Sequence, residues 1–247
     1  MTCSASHSVA PESLHPSLWR ASQLARGTTQ CVDTGHAALS SQLPGGGWPT
    51  GVLIDLLLQQ PGIGEMRLLR PALAQVAGRR VVLLQPPHPP QALALAALGV
   101  PPSQLIWLRT SRTADALWAA EQVLRSGSCG ALLFWPGPAG HHHMRSESLR
   151  RLHLAAQGGD TLFFMMRPLA TSQDASPAPL RLALRPRAGG IEIDFVKRRG
   201  PQRDAALFLP LDLPLPLTSY LQQRHASLDR PAPAPLGARG LRSELVH

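Results

Sequence analysis

Five short runs of near-continuous apolar residues mark the middle of the chain, at residues 51–58, 80–85, 104–109, 131–135 and 161–166. A strand inside a parallel sheet is covered on both faces and needs no polar side, so these runs read as buried strands. Between them, residues 65–76, 89–98, 113–125 and 146–156 place apolar side chains at helical spacing; in 113–125 these are Ala114, Leu117, Trp118, Val123 and Leu124. Strand and helix alternating at this interval imply βαβ units. The expected fold class is α/β, a parallel sheet flanked by helices.

After residue 166 the pattern changes. Residues 180–184 and 191–197 read as two strands joined by 185–190, and Ile191, Glu192, Ile193, Asp194 and Phe195 alternate apolar with acidic. Such alternation gives a strand with one wet face. A C-terminal β-hairpin at the sheet edge follows. Upstream, residues 14–24 carry Leu14, Leu18, Trp19 and Leu24 at helical spacing, which predicts a short docking helix. Residues 34–43 predict another, with Thr34 as N-cap, and 44–49 a rigid Pro/Gly turn. The core domain is expected over 14–210. Residues 1–13 are expected to be disordered, and 211–247 to form a flexible Pro-rich tail.

Composition sharpens this picture. Apolar residues make up 44% of the 247, enough for one sizeable core. The net charge is +9, carried by one lysine (Lys197) and 23 arginines. That balance suits an acidic partner, whether nucleic acid, an anionic membrane surface or an acidic protein; the codon bias of a GC-rich genome accounts for arginine over lysine equally well. Cys3, Cys31 and Cys129 are odd in number and widely spaced, so they form neither a disulfide framework nor a zinc site. No apolar window of about 18 residues predicts a membrane span. The first residues lack the features of a signal peptide, and a cytoplasmic location is expected. His141, His142 and His143 follow a Gly/Pro stretch with no flanking ligands and read as polar loop, leaving no metal site.

The loop after the first strand is where phosphate-binding proteins hold nucleotide. That chemistry needs glycines, a lysine for the β/γ-phosphates and a Ser/Thr hydroxyl for Mg²⁺. Here Gly62 and Gly64 are present, but Glu65 stands where lysine belongs and Met66 where the hydroxyl belongs. The run 131–135 ends in Trp135 and Pro136 where a metal-binding carboxylate is expected. Gln85 follows the second strand where a catalytic Glu is expected. No nucleotide cofactor and no enzymatic activity are therefore expected.

The glycine turn 44–49 before an apolar strand and a degraded phosphate loop resembles the RecA core. The turn Pro44-Gly45-Gly46-Gly47-Trp48-Pro49, then Gly62-Ile63-Gly64-Glu65 with Arg67-Leu68-Leu69, more closely resembles the ImuA family, RecA-like proteins linked to translesion synthesis. So do Thr161-Leu162-Phe163 leading to Arg167-Pro168, and Leu180-Arg181-Leu182 with Lys197-Arg198-Arg199-Gly200-Pro201. The resemblance covers about 14–210. It implies a RecA-type fold, induction by DNA damage (SOS), and a non-catalytic accessory role. The implied partners are an ImuB-like Y-family protein and RecA, with an error-prone C-family polymerase in the same complex. A SulA-like inhibitor of cell division shares the degenerate core and is the alternative from another functional class.

Residues 145–203 hold eleven Lys/Arg against five acids, a net +6. In RecA-like folds the loops after the later strands face DNA. Arg150, Arg151, Arg167, Arg185, Arg187, Lys197, Arg198 and Arg199 are accordingly the candidate strip for the phosphates of single-stranded DNA. An acidic protein suits the same strip. Aromatics are scarce there, so backbone contact is favoured over base stacking.

Overall fold

The computed structural model describes residues 30–97, 99–136, 144–200 and 205–211. The expected N-terminal disorder over 1–13, the docking helix at 14–24, the His141–His143 loop and the tail from 212 onward lie outside them.

A mostly parallel eight-stranded sheet forms the core, in the order β10-β9-β8-β3-β7-β6-β4-β5. Its parallel part comprises β3 (Leu53–Leu58), β4 (Arg80–Leu84), β5 (Leu105–Leu108), β6 (Cys129–Phe134), β7 (Leu162–Pro168) and β8 (Leu180–Arg187). Helices α2 (Glu65–Val76), α3 (Ala92–Ala97), α4 (Thr113–Ser126) and α5 (Ser146–Ala156) make the crossovers. The runs that form β3 and β6 are buried at every position, as inner strands require, whereas the run 104–109 forms β5 at the sheet edge and leaves Trp107 exposed. The expected α/β class is what forms. The hairpin of β8 and β9 (Gly190–Lys197) lies toward one side of the sheet, and a further strand, β10 (Leu207–Pro210), pairs antiparallel outside it. That strand has only four residues and ends at a proline, so its pattern is too short to read.

Two predictions at the N-terminal side need correction. The helix expected over 34–43 is only α1 (Ala37–Ser40), and its N-cap is His36. The Thr34 side chain instead folds back on its own backbone, donating to His36 O and accepting from His36 N, each at 3.0 Å. The turn 44–49 contains β2 (Gly47–Pro49), paired antiparallel with β1 (Cys31–Asp33). Gly47 permits this pairing: a Cβ there would lie 2.4 Å from Val32 O.

The sheet carries one apolar layer on each face. Ile54, Leu56 and Leu58 point to the layer with Trp48, Leu68, Leu69 and Leu73. Leu53, Phe163 and Met165 point to the layer with Ala116, Ala120, Leu124, Leu149 and Leu152 from α4 and α5. Trp48 meets Phe164 edge-on at 5.2 Å. Each such buried Leu or Phe stabilises by roughly 1.5–3 kcal/mol. Among the described residues, no helix is long and apolar enough to cross a membrane.

Candidate functional site

The phosphate-type loop leaves β3 and enters α2. Gly62 and Gly64 have φ of 85° and 121°, left-handed values that L side chains rarely adopt. This turn aims backbone N–H groups inward, as in an anion-binding nest. The nest is filled from within. Glu65 is 3% exposed. One of its carboxylate oxygens accepts from Gly62 N at 2.8 Å and the other from Gly64 N at 3.2 Å. The carboxylate thus places a negative charge on two backbone N–H groups at the positive end of the α2 dipole. A second anion about 4 Å away would meet roughly 4 kcal/mol of repulsion at an effective dielectric near 20.

The neighbours close the same space. Arg67 lies beside the turn: its Nη1 donates to Leu211 O at 3.0 Å, and its Nη2 is 3.3 Å from where a Cβ on Gly64 would lie. A Cβ on Gly64 would lie 3.1 Å from the Leu211 side chain and 3.3 Å from that of Ile191. Met66 packs against the apolar core. Gln85 ends the second parallel strand in a left-handed conformation, φ 56°, with its side-chain amide donating to Thr110 O at 2.7 Å and Thr110 Oγ1 at 2.8 Å.

The basic residues do not form one strip. Arg167 is 2% exposed and buried in an ion cluster, so it cannot present itself to phosphate. Asp55, fully buried in β3, accepts through Oδ2 from Arg167 at 3.3 Å, Arg181 Nε at 3.1 Å and Ser176 Oγ at 2.7 Å. Arg167 also pairs with Asp174 at 3.0 Å. Arg181 reaches the carbonyls of Thr171, Ser172 and Asp174 at 2.9–3.1 Å. Strand β7 runs parallel to β8 with β3 between them, so the segment linking them crosses the face of β3. The Asp55 cluster pins that crossing. The sign missed in the sequence was Asp55 itself, one charge inside an otherwise apolar run, which burial obliges to find partners.

The hairpin separates the others. Arg185 pairs with Asp194, and Arg187 with Glu192 at 2.7 Å. Lys197 lies across from Arg181, six residues back along β8 from Arg187. At ~3.3 Å per residue that is about 20 Å. Lys197 donates to Ser176 O at 3.0 Å. Arg198 donates to Gln42 O and lies 5.2 Å over the Phe195 ring. On α5, Arg151 pairs with Glu121, and Arg150 is exposed. His153, one turn beyond Arg150, accepts from Leu53 N at 3.2 Å through Nδ1. Burial, then the charges of Lys197 and Arg199, hold its imidazole below the usual histidine pKa. The charges of Lys197 and Arg199 thus reach His153, whose helix carries Arg150 one turn earlier. Among the described residues no His/Cys/Asp/Glu group is arranged to hold a metal ion.

No known family profile matches the chain. Curated proteins do. The chain is similar to SulA. It is 32% identical over 114 residues to the cell division inhibitor SulA of Edwardsiella piscicida, covering 45% of this chain and 65% of that protein, just under two thirds. To the cell division inhibitor SulA of Pectobacterium carotovorum subsp. carotovorum (strain PC1) it is 28% identical over 142 residues, covering 57% and 79%.

Proposed function

We propose that this chain is a non-catalytic accessory protein of the DNA-damage response, built on a RecA-like core and working through protein contacts. The observation that carries the reading is the Glu65 carboxylate, which occupies the cradle its own loop would offer a nucleotide. The lysine and hydroxyl positions hold Glu65 and Met66, which supports a role without nucleotide chemistry. Within this reading the chain serves mutagenic translesion synthesis with an ImuB-like Y-family protein, RecA and an error-prone C-family polymerase. Lys197, Arg199 and Arg150 are its candidate contacts with single-stranded DNA.

The similarity to SulA favours a second reading, an inhibitor of division that binds the tubulin-like division protein. Two assays separate them. Deleting the gene should abolish damage-induced mutagenesis under the first reading and leave it intact under the second. Overexpression should cause filamentation only under the second. ATP turnover above background by the purified chain would sink both.

A further inference from the structure

Helices α4 and α5 lie side by side on one face of the sheet, and their outward side is unlike the rest of the surface. Trp118 on α4 is 63% exposed and Leu154 on α5 is 64% exposed, the two most exposed of the large apolar side chains among the described residues. Between the helices runs an open groove of about 290 Å³, lined by Glu121, Arg125, Arg151, Leu154, Ala155 and Gly158.

Its charge is built rather than incidental. The Glu121 side chain is 8% exposed and sits beneath two guanidinium groups, Arg125 at 2.8 Å and Arg151 from the neighbouring helix. The Arg125 and Arg151 side chains are themselves 64% and 62% exposed. One buried carboxylate therefore holds two arginines in place and neutralises one of them. Each guanidinium has five N–H donors, most of which still face outward. The acidic residues of this face, Asp115 and Glu147, lie in the first turns of the two helices. The end of the groove holding Arg125 and Arg151 is thus left cationic.

Arginines held by a buried carboxylate beside an exposed Leu, with an exposed Trp on the same helix as Arg125, are the composition of a protein-binding hot spot, because less side-chain entropy remains to be lost on docking. Sequence-neutral nucleic-acid binding would call for a longer basic groove and stacked aromatics. We propose that the α4–α5 groove is a docking surface for an acidic segment of a partner protein that carries an apolar or aromatic anchor. The anchor packs on Leu154 and Ala155 in the groove, with Trp118 exposed one turn before Glu121 on α4 as a flanking contact, and the segment's carboxylates take the N–H groups of Arg125 and Arg151. This goes beyond the functional reading above, because the groove has the same chemistry whichever pathway the chain serves.

The test is selection of random linear peptides, displayed on phage, against the immobilised full chain. The same selection is run on a Trp118→Ala/Leu154→Ser variant, whose thermal unfolding should match the parent because both side chains are exposed. The parent should enrich peptides rich in Asp and Glu with one or two Leu, Phe or Trp. Synthesised, these should bind about tenfold or more weakly to the variant, and weakly again to Arg151→Gln. Enriched peptides that lack acids, or that bind the variant equally well, would overturn the proposal. So would loss of oligothymidylate binding in the variant, which would give the face to nucleic acid. A dimer of the parent that the variant breaks would give it to a second copy of the chain.

Discussion

Replacing Asp55 with alanine tests whether one carboxylate holds the crossing between β7 and β8. Asp55 is fully buried, and the side chains around it, Arg167 and Arg181, are 2% and 6% exposed. Removing the carboxylate strands two guanidinium groups with only Asp174, itself 27% exposed, as a remaining anion. Breaking a buried ion pair on one side typically costs about 3–5 kcal/mol. A domain of this size has roughly 5–15 kcal/mol in all, so the variant should be near the edge of folding. In urea, with a slope of about 2 kcal/mol per molar, the midpoint should fall by roughly 2 M. Amide exchange should quicken first in Leu169–Gln173, because Arg181 is held on the carbonyls of Thr171 and Ser172. Asp55→Asn keeps the shape and one acceptor and should lose less. The triple change Asp55→Leu, Arg167→Met, Arg181→Met should recover most of the stability, since a buried ion cluster is often no better than well-packed apolar residues. An Asp55→Ala midpoint within about 0.5 M of the parent would refute the reasoning, because the two arginines would then be balanced by something else.

Other outcomes follow from the same geometry. Glu65→Gln should destabilise by about 1–3 kcal/mol, read by urea unfolding, because the buried charge is lost and only one of the two backbone N–H groups keeps an acceptor, the amide NH2 facing the other. An unchanged midpoint would mean the nest does not need its anion. His153 keeps its neutral form longer in the folded chain than in the unfolded one, so the unfolded state takes up the proton first. Stability should therefore be full above about pH 6.5 and fall as the pH drops toward the lowered folded value; His153→Gln should flatten that slope in a pH series of thermal melts. Lys197→Glu with Arg199→Glu should weaken salt-dependent binding of single-stranded DNA, whereas Arg187→Glu should not, measured by fluorescence anisotropy across a salt series. Equal loss from both would restore a continuous strip.

The sequence by itself determined the βαβ frame. Apolar runs such as those of β3 and β6 are unambiguous because a strand buried on both faces tolerates almost nothing polar, and the bounds of α2 and α5 match the helical periodicity residue for residue. It also determined that Glu65 follows the Gly62–Gly64 turn between β3 and α2, since that is a question of residue order. Only the tertiary structure decided what Glu65 does there, because whether a carboxylate leaves a nest or folds into it depends on side-chain direction. The basic residues show the limit most clearly. Arg167, Arg187 and Lys197 lie close together in a count of charges. Yet a strand alternates its faces and carries its two ends about 20 Å apart. One arginine therefore went into the core to meet Asp55, one to an ion pair at one end of the hairpin, and the lysine to the other end, opposite Arg181. Charge is a property of the residue; which charges share a surface is a property of the register between strands.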